Sequence, residues 1–421
     1  MTIIKKPRGT QDFLPEDCDK RLHIENKLRE VAALFNYREI RTPTFEKTEL
    51  FKRGIGEETD VVSKEMYSFN NDEYTLKPEM TAPVIRAYLE NHLYNKSPLQ
   101  KLYYIANMYR HERPQAGRFR EFSQFGAEAI GSDNYSVDVE LIALSHKILS
   151  IFCVKDIVIK INTIGDFEER KEYLKHLTKY LRRYESDLSL DSQKRLQRNP
   201  LRILDSKDEK DISILKEAPV LFEFLSSKTR THFERVLDGL KTVGIRYEVD
   251  YRLVRGFDYY TSTTFEVISP LLGSQNAIFG GGRYNRLVEQ LGGPPTPAIG
   301  FACGLERLTY VIEKSNYNFP SEKGVDIFIA YLGETAFKLA LKISSELRDK
   351  GMKIEIDHLY RSLKSQLKEA NRLGVKYCLI IGENEIKESS AILRDMLNAT
   401  EKRLPLETLS TELYNLVSKN D

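Results

Sequence analysis

Apolar and polar residues alternate along the chain with two periods, and each change of period marks a predicted element. Apolar residues at helical spacing from Pro15 to Tyr37 predict an amphipathic helix, and Tyr37–Thr42 predicts a short strand after it. This pair forms either a dimer edge or part of an ordinary core, and the spacing leaves both open. The next predicted elements are the strands Tyr74–Leu76, Leu102–Arg110, Arg120–Ile130, Ile157–Ile161, Thr263–Ile268 and Ile299–Cys303 and the helices that begin at Ala82, Val137 and Leu305.

The last hundred residues alternate between strand and helix. A polar stretch with proline and glycine, Asn316–Gly324, predicts a linker before them. Beyond the linker the pattern predicts strand Val325–Tyr331, helix Glu334–Lys350, strand Lys353–Ile356, helix Ser362–Leu373, strand Tyr377–Ile381 and a helical tail. Such alternation is typical of a small, largely parallel sheet flanked by helices, so we expect a separate C-terminal α/β domain.

A charged segment interrupts the strands in the middle of the chain. Phe167–Arg198 predicts helices with a basic face, formed by Lys171, Lys175, Lys179, Arg182, Arg183, Lys194, Arg195 and Arg198. That face is either simply solvated or contacts a polyanion. We expect a helical insertion at 166–235 between two parts of one domain, 1–165 and 236–318, followed by the C-terminal domain at 325–421.

Composition and charge narrow the class of protein. The chain has 421 residues, of which 41% are hydrophobic and 30% charged, as in ordinary soluble proteins. A net charge of +2 from 64 basic and 62 acidic residues argues against a globally basic nucleic-acid coat but allows a local basic surface. Four widely spaced cysteines favour a reducing compartment. We expect a cytoplasmic protein without a signal peptide or membrane span.

A hairpin with a polar connection at 111–119 carries candidate ligand-binding groups. Period two places Gln124 and Glu128 on one strand face, with Gly126 between them leaving room for a ligand. A buried carboxylate requires a partner, which is either a ligand or an arginine of the chain itself. The opposite face, which can pack on a core, consists of Phe125, Ala127 and Ala129; the arginines at the turn are Arg110, Arg113 and Arg118.

Three further stretches carry candidate chemistry. Leu253–Thr261 reads L-V-R-G-F-D-Y-Y-T and predicts a polar cluster on a sheet, the alternative being a tight turn between strands. Glu79 and Thr81 lie on a strand-to-helix turn, where Thr81 is the predicted helix cap. Arg307 lies in the first turn of a predicted helix, where a cation opposes the helix dipole, so a structural or functional reason is expected.

Taken together, these motifs identify a family. The chain resembles the histidyl-tRNA synthetases, a family of class II aminoacyl-tRNA synthetases, over nearly its whole length. The resemblance rests on P-R-G-T-Q-D-F near the start, Y-R-H-E-R-P-Q-A-G-R-F-R-E-F-S-Q-F-G-A-E in the hairpin, L-V-R-G-F-D-Y-Y-T, F-G-G-G-R-Y and G-L-E-R-L. It implies an α+β fold: an antiparallel-sheet catalytic domain with a helical insertion, plus a C-terminal α/β anticodon-binding domain. It also implies a homodimer joined through the N-terminal helix and strand.

The resemblance further implies a reaction and its residues. L-Histidine and ATP form an adenylate, and histidine passes to the 3′ end of its tRNA, with Mg²⁺ expected to arrive with ATP. Arg110 and Arg255 would flank the α-phosphate as catalytic groups. The remaining implied contacts are histidine with Glu79, Thr81, Gln124, Glu128, Tyr259, Tyr260 and Tyr284, ATP with Arg110, Arg118 and Arg307, and the tRNA acceptor end with Gln115.

The chain departs from the family pattern at three positions. Lys77 and Met80 stand in L-K-P-E-M-T where L-R-P-E-G-T is common, and Asn285 replaces a common acidic residue. Two rivals remain: the regulatory subunit of ATP phosphoribosyltransferase, and another class II synthetase, such as those for threonine, proline or glycine. The R-G-x-D-Y-Y stretch favours the histidine enzyme over both.

Overall fold

The chain divides near the predicted linker into two units, Met1–Phe319 and Pro320–Asp421. The computed structural model describes residues 2–57, 59–114, 117–273, 276–320 and 324–418. Among these residues no helix is both long enough and apolar enough to cross a bilayer. Each unit has its own buried hydrophobic clusters.

The first unit contains eleven strands and ten α-helices among its described residues. The strands are β1 (Arg38–Glu39), β2 (Phe45–Lys47), β3 (Tyr67–Phe69), β4 (Tyr74–Leu76), β5 (Gln100–Tyr109), β6 (Glu121–Ile130), β7 (Val158–Thr163), β8 (Glu248–Val249), β9 (Thr261–Ile268), β10 (Ala277–Arg283) and β11 (Ala298–Gly304). The helices are α1 (Pro15–Leu34), α2 (Thr48–Ile55), α3 (Thr81–Glu90), α4 (Tyr135–Ile151), α5 (Phe167–Leu181), α6 (Leu190–Arg198), α7 (Glu209–Leu215), α8 (Ser227–Thr242), α9 (Leu287–Gln290) and α10 (Leu305–Lys314).

An eight-stranded sheet organises this unit. Its order is β1-β5-β6-β11-β10-β9-β7-β8, and every pairing is antiparallel except those of the two edge strands, β1 and β8. The predicted hairpin is β5–β6, with bounds within two residues of the prediction. A smaller three-stranded sheet has the order β2-β4-β3.

The two faces of the large sheet have different partners. Helices α1, α4, α8 and α10 cover one face, and the predicted core side chains Phe125, Ala127 and Ala129 lie there, fully buried. α3 and the insertion pack on the other face. α1 begins with Pro15, whose fixed φ suits a first helical turn, and ends before Tyr37 because Asn36 takes a left-handed conformation.

The insertion is a folded helical segment with its own polar anchor. α5 begins with a capping box in which Asp166 and Glu169 satisfy each other's backbone N–H groups. Deeper in the insertion, the Asp211 carboxylate accepts hydrogen bonds from three hydroxyls at 2.5–2.7 Å, those of Ser189, Ser192 and Ser206. This carboxylate therefore ties α6 and α7 to the connecting turns.

The second unit is a five-stranded mixed sheet flanked by helices. Its elements are β12 (Ile327–Tyr331), α11 (Glu334–Asp349), β13 (Ile354–Ile356), α12 (Leu363–Arg372), β14 (Tyr377–Ile381), α13 (Glu383–Lys387), β15 (Ser390–Asp395), β16 (Thr400–Pro405) and α14 (Leu409–Ser418). The order is β13-β12-β14-β15-β16, parallel among the first three strands and antiparallel in the last two pairings. The prediction of a wholly helical tail is wrong, because β15 and β16 form a hairpin there.

Candidate active site

A buried carboxylate lies at the centre of the open sheet face. Glu128 on β6 is only 1% exposed, and its two oxygens accept hydrogen bonds from the hydroxyls of Thr81, at 2.9 Å, and Tyr284, at 2.5 Å. Burial raises the pKa of Glu128 to about 8, against the opposing effect of those two hydrogen bonds. The alternative, an ion pair between Glu128 and an arginine of the chain, is wrong, since the hydrogen-bond partners of Glu128 are two hydroxyl groups.

The neighbouring strand provides the space that Glu128 occupies. Gly300 on β11 is paired with Glu128, and a Cβ placed at Gly300 would lie 1.6 Å from its Oε2 atom. Any side chain at this position would therefore displace the carboxylate.

Glu79 forms the second buried carboxylate of the site. It accepts hydrogen bonds from the backbone N–H groups of Thr81, at 2.7 Å, and Ala82, at 2.9 Å, and so caps α3. Burial raises the pKa of Glu79, while the two backbone hydrogen bonds oppose that shift. The prediction that Thr81 caps the helix is wrong. Thr81 is the first residue of α3, and the Thr81 hydroxyl donates a hydrogen bond to Glu128.

A tyrosine fills the gap in the hairpin. Tyr104 on β5 is paired with Gly126, where a Cβ would lie 2.2 Å from the tyrosine ring. The glycine thus makes room for Tyr104 rather than for a ligand, which corrects the sequence-based interpretation. The Tyr104 hydroxyl and the Gln124 Oε1 atom are both buried and lack a hydrogen-bond partner among the described residues, so a water molecule or a polar ligand would satisfy them.

The Arg255 side chain projects from an irregular segment, 253–260, that leads into β9. The segment is a turn between β8 and β9, which was the alternative interpretation, yet its Arg255 side chain contacts the sheet and its tyrosines are buried, as expected for a polar cluster on a sheet. The Arg255 guanidinium donates to Glu266 on β9 and lies 5.8 Å from the ring centroid of Tyr260. Gly280 on β10 permits this placement, because a Cβ there would lie 2.2 Å from the guanidinium.

Arg110 reaches the same place from the hairpin. Its Nε donates to the Pro78 carbonyl at 2.8 Å, and its guanidinium carbon lies 5.7 Å from the ring centroid of Phe257. The rings of Phe257 and Tyr260 are stacked, with centroids 6.5 Å apart and planes 6° apart. Arg110 and Arg255 therefore lie against two neighbouring parallel rings, and both line one cavity.

Two more arginines lie further along the cavity. Glu112 is within 3.2 Å of Arg118 and 3.7 Å of Arg110, so one carboxylate approaches both cations. Arg307 donates to the carbonyls of Gly117, at 3.2 Å, and Ala277, at 2.9 Å. These contacts supply the structural reason for a cation in the first turn of α10.

One cavity of about 1300 Å³ brings the predicted residues together. Its lining includes Glu79, Thr81, Arg110, Arg118, Gln124, Arg255, Tyr259, Tyr260, Tyr284 and Arg307. Glu128 contacts two of these from below, and Gln115 lies outside the described residues. Of the departures, Met80 lines the cavity, whereas the buried Lys77 donates to the Thr42 carbonyl at 3.4 Å.

Four residues that line the cavity were not identified from the sequence. They are Tyr104, Glu112, Glu266 and Gly300. A detectable signal existed for Tyr104, because a large residue paired with a strand glycine in a hairpin fills the space above it. Glu266 and Gly300 belong to strands whose pairing with the site depends on tertiary register, which no local pattern encodes.

Comparisons with known proteins identify the family of the chain. The family model described as Histidyl-tRNA synthetase matches residues 9–308, and the Anticodon binding domain model matches residues 326–416. The histidine–tRNA ligase of Halothermothrix orenii is 45% identical over 98% of this chain and 100% of that protein. The crystal structure of apo S. aureus histidyl-tRNA synthetase superposes with a TM-score of 0.82 at 38% identity, covering 98% and 100% of the two chains.

A more distant structure shares the fold. It is described as an ATP phosphoribosyltransferase regulatory subunit/histidyl-tRNA synthetase from Bacillus halodurans, with a TM-score of 0.64 and 21% identity over 90% of this chain and 98% of that one. At that identity the likeness concerns the fold alone. The family-model match over most of the chain and the full-length identity with curated ligases carry the assignment: the chain belongs to the histidyl-tRNA synthetase family.

Proposed function

We propose that the chain is a histidine–tRNA ligase. It activates L-histidine with ATP to histidyl-adenylate, releasing pyrophosphate, and transfers histidine to the 3′ end of its tRNA. The observation that carries the proposal is one cavity, in a chain of this family, that is lined by Arg110 and Arg255 and by the two residues whose hydroxyls hold the buried Glu128 carboxyl.

Histidine selectivity would follow from the buried polar groups of the site. Imidazole offers one donor and one acceptor, which Glu128 and the phenol of Tyr284 or Tyr260 can satisfy. The free Oε1 of Gln124 would accept from the substrate ammonium, together with Glu79 and Thr81, while Tyr259 closes the pocket. A substrate without an imidazole would lose its hydrogen bonds to Glu128 and the phenol while its side chain is buried, and such a mismatch typically gives rejection of about 10⁴–10⁵-fold.

Adenylate formation brings two anions together. An oxygen of the histidine carboxylate attacks the α-phosphorus, and the bond from that phosphorus to the bridging oxygen breaks, so that pyrophosphate leaves with the electron pair. Arg110 and Arg255 would stabilise the charge on the α-phosphate from its two sides, because planar guanidinium groups can each hold two oxygens. Losing one such donor typically costs about 3–4 kcal/mol of transition-state stabilisation.

The outer part of the cavity suits the rest of ATP. Arg307 would contact the γ-phosphate and Arg118 would help to hold the nucleotide. No group of three or more His, Cys, Asp or Glu side chains is gathered for a metal among the described residues, so Mg²⁺ would enter bound to the phosphates of ATP, as part of the substrate.

The remaining partners extend the same proposal. The second unit would bind the anticodon, and the basic face of the insertion and Gln115 would contact the acceptor arm of histidine tRNA. A homodimer would form through the N-terminal segment, which exposes the apolar side chains Phe13, Leu14, Leu22 and Leu34. All four cysteines are free thiols, in keeping with the reducing cytoplasm.

Pyrophosphate exchange tests this function directly. The protein is incubated with ATP, labelled pyrophosphate and each amino acid in turn. Exchange with histidine alone is expected. Exchange with another amino acid would point to a different class II synthetase, and no exchange with any of them would point to a non-catalytic relative. Sedimentation velocity tests the homodimer separately, and a monomer at micromolar concentration would refute it.

A further inference from the structure

The segment that carries Arg255 has two sides. One side faces the cavity, with Arg255, Tyr259 and Tyr260. The other side meets the insertion: Arg202 Nη2 donates to the Gly256 carbonyl at 2.8 Å, and Asn199 Nδ2 donates to Asp258 Oδ1 at 3.4 Å. Segment 253–260 therefore contacts both the cavity and the insertion, and the insertion itself lines part of the same cavity, with Arg195 and Arg202.

Arg202 also contacts a second segment that lines the cavity. Its Nη1 lies 3.3 Å from Asp60 Oδ2, and Asp60 directly precedes a single π-helical turn, Val61–Glu65, that contributes residues to the same cavity. Asp60 is fixed further by Lys64 at 3.1 Å.

The insertion fixes Arg202 in turn. Arg202 lies on the 3₁₀ turn Pro200–Asp205, and its own carbonyl accepts a hydrogen bond from Arg195 of α6 at 3.1 Å. The Arg202 side chain is 20% exposed, so most of its surface is packed. One guanidinium group thus joins three segments: the insertion, the turn after Asp60 and the Arg255 segment.

The contact to Gly256 matters because Gly256 directly follows Arg255. The carbonyl that Arg202 holds orients the peptide plane between Gly256 and Phe257, one residue after Arg255, and a catalytic side chain must be held within about 0.5 Å of its productive position. Segment 253–260 is not a strand, so side-chain contacts such as this one replace ladder hydrogen bonds.

We propose that Arg202 is a positioning residue for Arg255, so that adenylate formation depends on the seating of the insertion. The inference rests on the proposed function of the site. It assigns the insertion a role in the first chemical step, before any tRNA binds.

The test compares three variants in pyrophosphate exchange without tRNA. Arg202→Ala removes both contacts, and Arg202→Lys keeps the charge and one donor. Arg230→Ala is the matched control, because Arg230 also belongs to the insertion and donates to a backbone carbonyl at 2.8 Å, that of Glu223, within the insertion itself.

Arg202→Ala is expected to lower kcat by about tenfold or more while the KM for histidine changes less than about threefold, because misplacing a group by about 1 Å lowers rate rather than substrate binding. Arg202→Lys should lose less, and Arg230→Ala should match the wild type. The proposal is overturned if kcat of Arg202→Ala stays within twofold of wild type, or if Arg230→Ala loses as much. A wild-type protein without exchange would instead refute the proposed function.

Discussion

Replacing Glu128 with glutamine removes an ionisable group that is buried in the fold. Burial raises the pKa of Glu128 from 4.5 to about 8, so the folded protein favours the protonated carboxyl. The protonated Glu128 carboxyl makes its full contribution to stability below pH 4.5, the pKa of the group in the unfolded chain. This contribution is lost as the pH rises through 8, the pKa of the group in the fold. Because one pH unit corresponds to about 1.4 kcal/mol, the whole contribution is about 5 kcal/mol, of which about 3 kcal/mol is lost between pH 5.5 and 9.

Glutamine does not titrate, and its amide can keep both hydroxyl contacts, accepting from Thr81 and donating to Tyr284. We therefore expect the free energy of unfolding of Glu128→Gln, relative to wild type, to rise by about 3 kcal/mol from pH 5.5 to 9. The chain has no tryptophan, so urea unfolding is followed by circular dichroism without histidine present.

Glu121→Gln is the matched control, since Glu121 begins the same strand and is only half-buried. Its difference from wild type should vary little over this pH range. A difference between wild type and Glu128→Gln that stays constant from pH 5.5 to 9 would refute the reasoning, because it would mean that Glu128 ionises normally in the fold.

Three further variants test other parts of the site. Arg255→Ala should lower histidine-dependent exchange about 100- to 1000-fold while calorimetry still detects histidine binding; loss of that binding would show that Arg255 holds the amino acid instead. Gly300→Ala should abolish histidine binding, because the new Cβ displaces Glu128 and also lies 2.8 Å from the Ala127 carbonyl oxygen, and retained affinity would contradict this. Asp211→Ala leaves three hydroxyls without their acceptor and should cost about 1–3 kcal/mol locally. Faster proteolysis within 186–210 would show it, and unchanged cleavage would argue against an anchoring role.

The sequence predicted the hairpin and its two faces because period two in β6 is uninterrupted. Phe125, Ala127 and Ala129 are buried as expected, and Gln124 and Glu128 lie on the opposite face. The cavity residues were likewise found by resemblance, which transfers whole motifs.

What the sequence did not predict depends on register between distant strands. Arg255 forms an ion pair with Glu266, and Glu128 accepts hydrogen bonds from hydroxyl groups of residues 47 and 156 positions away. No local sequence pattern contains these contacts. The tail hairpin was missed for a different reason. β16 is exposed at five of its six residues, so it lacks the apolar alternation that indicates a strand.

Three strand glycines leave the space that three side chains of the site occupy: Gly126 for Tyr104, Gly280 for Arg255 and Gly300 for Glu128. Each of these three side chains is thereby matched to a strand position that has no side chain of its own. A preference for a different amino acid would need paired substitutions, one of the side chain that contacts the substrate and one of the glycine that makes room for that side chain. Single substitutions mostly inactivate such a site, so its preference for one substrate is expected to resist evolutionary drift.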